Sequence, residues 1–193
     1  TAGSHDLQGL ALTNQGTVTW ESGYIRGGSG AAFTNAAGAT FNDLNASGYT
    51  VHNPGWGGSF VFTNNGTYVR NTTNTTYFDV PFNNNGTVSL LQGDIQFRAG
   101  GTLASTGTIT ADAAPGSKGN GGTVTLIASL SNPNSKTVVD GSLSARAGDL
   151  GGDGGFVETS SKDNLQAFGN ANASAAHGKA GTWLLDPTDV TIV

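Results

Sequence analysis

Cysteine and methionine are both absent from this chain of 193 residues, and charged side chains make up only 11% of it, against about 25% in ordinary globular proteins. Without cysteine there is no disulfide framework, no thiolate metal site and no cysteine nucleophile. The eight Lys and Arg residues lie singly along a chain of formal net charge −5. No cationic face therefore forms for nucleic acid or anionic lipid. No apolar run approaches the ~20 residues that a membrane helix needs, so direct membrane insertion is not expected. The chain opens at Thr1 with no charged-then-apolar signal segment, and is expected to be a processed product or an excised fragment.

What is abundant is glycine, with 31 residues, together with Asn, Thr and Ser. The apolar residues are not scattered among these; they recur in short alternating runs between turn residues, which is the signature of strands. A phrase repeats along the first 110 residues: Asn14-Gln-Gly16-Thr17-Val18, Asn35-Ala-Ala-Gly38-Ala-Thr40-Phe41, Asn64-Asn-Gly66-Thr67-Tyr68, Asn84-Asn-Gly86-Thr87-Val88 and Ser105-Thr-Gly107-Thr108-Ile109. Its glycines are separated by 22, 28, 20 and 21 residues. A period near 20 with one long step is expected of a solenoid in which one turn carries an insertion. Asn-Gly tolerates positive φ and is expected to turn the corner, and the branched Thr-Val or Thr-Ile that follows starts a strand. Stacked in parallel about 4.8 Å apart, such turns make one unit spanning 1–193: an all-β, single-stranded parallel β-helix of about nine coils. Right-handed winding is the expectation for parallel crossovers.

Alternation separates inside from outside. Leu143, Ala145 and Ala147 are expected inside, with Ser142, Ser144 and Arg146 outside. The same rule places Val124, Leu126, Val190 and Ile192 inward, and Thr123, Thr125 and Thr191 toward water. Ala171, Ala173 and Ala175 share one side of an extended segment, and Trp183 and Leu185 are expected to plug the rod. Pro187 lacks a ladder donor and ends a strand, with Thr188-Asp189 turning the chain. The stretch 46–77, with the turn cluster Asn53-Pro-Gly-Trp56-Gly-Gly58 and the polar tract Asn71–Thr76, is the expected site of a protruding loop or distorted coil.

The segment from Gly121 to Val193 also carries a resemblance. Its blocks are Gly122-Thr-Val-Thr-Leu-Ile-Ala, Gly141-Ser-Leu-Ser-Ala-Arg-Ala-Gly, Gly151-Gly-Asp-Gly-Gly-Phe-Val-Glu-Thr-Ser and Gly181-Thr-Trp-Leu-Leu-Asp-Pro-Thr-Asp-Val-Thr-Ile, in that order. The set resembles the repeat region of filamentous-haemagglutinin-type exoproteins, large bacterial adhesins exported by two-partner secretion. The resemblance implies an extracellular parallel β-helix and no catalytic site. Asn132-Pro-Asn-Ser135 is a partial echo of an Asn-Pro-Asn-Gly element of that family's secretion domain.

Other motifs have plainer explanations beside the functional ones. Gly151-Gly-Asp-Gly-Gly-Phe156 is similar to a calcium-binding β-roll nonapeptide, but Phe156 stands where that repeat needs an aspartate, and a tight glycine corner is the simpler account. Asp79, Asp94 and Asp112 with Arg70 or Arg98 are the residues a β-helical polysaccharide lyase or hydrolase would use, at steps of 15 and 18. Solvated surface charge explains them equally well. His5, His52 and His177 are too dispersed for a metal set or a triad. Gly27–Gly30 and Gly119–Gly122 lack the following helix of a phosphate loop. Acceptor triplets for sugar begin at Asn45, Asn65, Asn71, Asn74, Asn85 and Asn172, and Asp186-Pro187 is a candidate self-cleavage bond. No catalytic, cofactor or metal residue is assigned. The expectation is a secreted, surface-displayed adhesive module that binds a host or neighbouring-cell glycan or protein through Thr and Asn ladders and the Trp56 loop. An outer-membrane transporter is a partner if the chain belongs to a longer exoprotein. The alternatives are a fibre subunit joined by strand addition, with Val193 in the donated strand, and the polysaccharide enzyme.

Overall fold

The computed structural model describes residues 3–128 and 135–187. The expectations for Val190, Ile192, Thr191, the Thr188-Asp189 turn and Val193, and most of the Asn132–Ser135 element, lie outside these residues.

Strand β1 (His5–Asp6) precedes seven windings. The first three are β2 (Ala11–Asn14), β3 (Thr17–Trp20) and β4 (Ile25–Arg26); β5 (Ala31–Asn35), β6 (Thr40–Asp43) and β7 (Thr50–His52); and β8 (Phe60–Asn64) with the long β9 (Thr67–Phe78). Next come β10 (Phe82–Asn84) with the long β11 (Thr87–Phe97), then β12 (Gly101–Leu103), β13 (Thr108–Thr110) and β14 (Thr123–Ile127). The last two are β15 (Lys136–Val139), β16 (Ser142–Ser144) and β17 (Phe156–Ser161); and β18 (Asn164–Ala167), β19 (Asn170–Asn172) and β20 (Thr182–Pro187). The first strands of all windings form one seven-stranded sheet, and the remainder form a second sheet that β9 and β11 carry around a corner. Every strand pairs in parallel with its counterpart one winding away, as in Thr17↔Thr40↔Thr67↔Thr87↔Thr108↔Ser142↔Asn170. The chain is a parallel β-solenoid.

The described residues make seven windings, against the nine that a 20-residue period gives. Asn14, Asn35, Asn64, Asn84, Leu103, Val139 and Ala167 occupy one column, at steps of 21, 29, 20, 19, 36 and 28 residues. The late windings are lengthened by excursions at 111–122, 145–155 and 173–181. Between 46 and 77 the chain is more regular than expected, because the tract Asn71–Thr76 lies within β9 and turns its corner at Asn74, whose φ is 71°.

The repeated glycines do not act through positive φ. Gly38 alone among them has it. Gly66 and Gly86 lie under the previous winding, where a Cβ would fall 2.3 Å from the Ala39 carbonyl oxygen and 2.2 Å from that of Gly66. Only a residue without a side chain lets successive corners approach at strand spacing.

The leading asparagine of the first four phrases points inward and builds the corner from within. Asn14 Nδ2 donates to Asn35 Oδ1 at 2.8 Å, Asn35 to Asn64 at 2.8 Å and Asn64 to Asn84 at 2.7 Å. The same amides also donate to the Thr40, Thr67 and Thr87 carbonyls of the next winding, and Asn84 to that of Thr108. The ladder stops where Leu103 takes the column. Asn64→Ala would leave the Asn35 amide and the Asn84 carbonyl oxygen short of a partner in a dry site. A loss of about 2–3 kcal/mol is expected from such orphaned groups, read as a lowered urea midpoint.

The core is not the slender aliphatic column that a narrow axis suggests. In its first half Phe33, Phe62 and Phe82 stack, with centroids 4.7 and 5.3 Å apart, and Phe41 stacks on Tyr68 at 5.0 Å. Aliphatic residues take over later, with Leu103, Ile109, Val139, Leu143 and Val157 fully or almost fully buried. Leu143 and Ala145 are inside as alternation requires, and Ala171 and Ala173 pack against the core from an extended segment. Thr125 departs from expectation: it is buried, between Gln96 and Glu158 in the outer column. Trp183 packs on the core and donates its Nε1–H to Thr159 Oγ1 at 3.1 Å. Leu185, its expected partner in the plug, is 46% exposed because no described strand lies beyond β20.

Candidate functional site

The polar residues with chemistry divide into an interior cluster, paired surface charges and an uncharged outer array. The interior cluster arises because Asp43 and Arg70 sit on the inward parity of β6 and β9, where they face each other in register. Both are 0% exposed. Asp43 Oδ2 accepts from Arg70 Nη1 at 2.8 Å, from Tyr68 Oη at 2.7 Å and from Thr76 Oγ1 at 2.6 Å. Asp43 Oδ1 accepts the Asn45 N–H at 3.1 Å. Arg70 Nη2 donates to the carbonyls of Thr73 and Asn74 at 3.0 and 2.8 Å, while its Nε has no partner. The guanidinium thus ties the inner ends of β6 and β9 to the bend of β9.

Burial, then the neighbouring Asp43 charge and the hydrogen bond to it, push the Tyr68 phenol well above its usual range, with Arg70 opposing. The sign follows from proton counting. Above about pH 10, where a free tyrosine ionises, the unfolded chain has lost a proton that the folded chain keeps, so stability falls with further rise in pH. The urea midpoint is expected to decline above that point, and Tyr68→Phe is expected to flatten this part of the profile.

On the surface, charges pair between windings. Asp6 with Arg26, Asp79 with Arg98 and Asp112 with Arg146 make contacts of 2.7–2.8 Å. The hydrogen bond from Arg26 holds the Asp6 carboxyl below the usual aspartate value. The candidate polysaccharide-cleaving set is therefore dispersed. Arg70 is enclosed with Asp43, Asp112 is bound by Arg146 and Ser144, and Asp94 lies opposite Thr75. Of that set the fold joins only Asp79 and Arg98, whose guanidinium also lies 4.1 Å above the Tyr77 ring. Alternation rather than sequence step decides this, since it sends Arg70 inward and the others outward.

His5 contacts the Ser22 carbonyl and His52 packs edge-on against Tyr24, while His177 is exposed on a loop. Among the described residues no group of three His, Asp or Glu is placed to hold a metal. Asp153 of the glycine-rich motif is a rung between loops: it takes the Lys179 N–H on Oδ1 and gives its own N–H to Asn120 Oδ1. Of the acceptor triplets, Asn45 is fully buried, whereas Asn71, Asn74, Asn85 and Asn172 are exposed. Asp186 and Pro187 close β20 opposite Ser160 and Ser161. Trp56 is half-buried, with Arg26 5.3 Å from its ring, so the loop is held down rather than projecting.

The outer array is regular. Thr17, Thr40, Thr67, Thr87, Thr108, Ser142 and Asn170 form one column, and Thr19, Asn42, Val69, Ser89, Thr110, Ser144 and Asn172 form the next. Neither column contains a charged residue. Neighbouring rungs bond to one another, as Ser142 Oγ does to Asn170 Oδ1 at 3.0 Å. Apart from Val69, such a surface presents hydroxyl and amide groups at strand spacing over the seven described windings.

Fold and surface together define a parallel β-solenoid that displays polar ladders. Comparison with known proteins finds no matching family model, no similar curated protein and no similar solved structure. The haemagglutinin-type resemblance thus rests on the sequence blocks alone.

Proposed function

We propose that this chain is a non-catalytic adhesive module, a passenger segment of a secreted filamentous-haemagglutinin-like exoprotein displayed outside a Gram-negative cell. The observation that supports the reading best is the uncharged double column of Thr, Ser and Asn, interrupted only at Val69, that runs through the seven described windings. Its groups are fixed by the backbone, so binding costs little side-chain ordering. The ligand class is a glycan or protein of a host or neighbouring cell, and export of the parent protein would use an outer-membrane transporter. Beads coated with the purified chain are expected to adhere to epithelial monolayers well above albumin-coated beads. Adherence no better than albumin would contradict the reading.

The second reading, a fibre subunit, is favoured by the end of the rod at β1–β3. There Leu7, Leu12, Val18, Trp20, Ile25, Phe33 and Phe41 line an apolar mouth of about 210 Å³, beside strands β2 and β3, each of which pairs on one edge only among the described strands. A free edge accepts another strand. Light scattering separates the readings: long polymers favour the fibre, and a concentration-independent monomer favours the module.

A further inference from the structure

The excursions 111–122, 145–155 and 173–181 stack on one another and re-enter the sheet through similar phrases: Asn120-Gly-Gly-Thr123, Asp153-Gly-Gly-Phe156 and Lys179-Ala-Gly-Thr182. Thr123, Phe156 and Thr182 stand in register on β14, β17 and β20. The three phrases line a shallow open groove of about 440 Å³. Its floor is main chain, since a Cβ on Gly154 or Gly181 would fall 1.9 Å from a carbonyl oxygen of an adjacent strand or loop. Three rungs span about 10 Å at strand spacing.

The groove wall holds groups that are oriented but not used up. Asn120 spends Oδ1 on the Asp153 N–H and Asp153 spends Oδ1 on the Lys179 N–H. Among the described residues Asn120 Nδ2, Asp153 Oδ2 and the Lys179 ammonium have no further partner and keep their remaining capacity for a ligand. Phe156 and the more exposed Phe168 are the outward phenylalanines without a ring or cation partner among the described residues, and of the two Phe156 lines the groove. Trp56 and Tyr77 each lie under a guanidinium, and Tyr24 and Tyr49 pack together. Phe156 has no ring or cation against it among the described residues and is partly exposed.

We infer that this groove is a binding subsite for a neutral oligosaccharide. A sugar ring laid on the glycine floor places its apolar face on Phe156 and its hydroxyls on Asp153, Asn120 and Lys179, the usual mixture of one apolar surface with a few placed polar groups. Asp153 and the net charge of −5 disfavour an acidic sugar. The inference deepens the adhesive reading and rests on it for its biological use, but the binding itself is measured separately.

The test is a glycan array of neutral and uronic- or sialic-acid-containing oligosaccharides probed with the whole chain, followed by calorimetric titration of the best neutral hit. Phe156→Ala is expected to weaken that hit at least tenfold and Asp153→Asn severalfold, with an unchanged circular-dichroism spectrum and melting temperature. Glu21→Gln, an exposed residue of the first winding outside both the groove and the hydroxyl columns, is expected to bind as wild type. An array with no neutral hit, a preference for acidic glycans, or a Phe156→Ala variant that binds like wild type would overturn the inference. Bead adhesion that persists in Phe156→Ala while glycan binding is lost would leave the adhesive module standing on another surface. Absent bead adhesion with intact glycan binding would sink the adhesive reading alone.

Discussion

Arg70→Ala is expected to destabilise the rod by roughly 3–5 kcal/mol, one of the two largest losses of any single substitution considered. The cause is the partner left behind. Asp43 would lose its countercharge in a site with no solvent exposure, and its carboxylate would keep only the Tyr68, Thr76 and Asn45 donors. The Thr73 and Asn74 carbonyls at the β9 bend would lose their donor as well. Replacing both charges, as Asp43→Leu with Arg70→Met, is expected to recover much of the loss, because removing a buried pair also removes its desolvation penalty. Arg70 Nε, buried without a partner, adds to that penalty. Urea titration followed by tryptophan fluorescence measures both variants. A single variant within about 0.5 kcal/mol of wild type, the range of ordinary surface changes, would show that the cluster is not structural.

Phe62→Ala is expected to cost a similar amount, about 3–5 kcal/mol, through packing rather than charge. Phe62 is the hub of the aromatic core. It stacks between Phe33 and Phe82 and meets Phe41, Tyr68 and Phe78 edge-on at 5.6, 6.2 and 5.2 Å. These rings are fixed on three different windings, so they cannot close over the space that Phe62 vacates. In the aliphatic half, Leu143→Ala removes a smaller side chain and is expected to fall toward the lower part of the 2–5 kcal/mol range for leucine. Equal losses at the two sites would argue against the aromatic core as the main source of stability in the first four windings.

The solenoid itself was legible in the sequence because its two signals are local. Alternation in Gly141–Ala147 and the repeated Asn-Gly-Thr phrase both act within a few residues of chain. The role of the phrase was not legible in the same way: whether Asn64 caps a turn or faces its copies at Asn35 and Asn84 depends on the neighbouring windings. The glycine column has the same character, since Gly86 is required by the Gly66 carbonyl above it and not by its own φ. The coil number was overestimated because the excursions at 111–122, 145–155 and 173–181 use residues without adding strands to the column.

The interior charges left a trace that period-2 reasoning reads directly. In Thr40-Phe41-Asn42-Asp43 and Thr67-Tyr68-Val69-Arg70, the charged residue shares the parity of the aromatic, which marks it as inward. That parity separates Arg70 from the outward Asp79, Asp94 and Asp112 with which the enzyme reading grouped it. The groove was hidden for the opposite reason. Asn120, Asp153 and Lys179 are about 30 residues apart in sequence, and only the stacking of three loops brings them together.

The register of the windings carries every other conclusion, and a chain without cysteine allows it to be tested cleanly. Thr34 and Thr63 face outward in register on β5 and β8, about 4.8 Å apart, inside the window of roughly 4.4–6.8 Å that a disulfide spans. Thr34 and Val61 are two residues out of register, about 8 Å apart, beyond that window. The double variant Thr34→Cys/Thr63→Cys is predicted to cross-link within the monomer under mild oxidation, and Thr34→Cys/Val61→Cys to remain reduced. Faster cross-linking of the second pair, or none in the first, would contradict the stacked parallel arrangement.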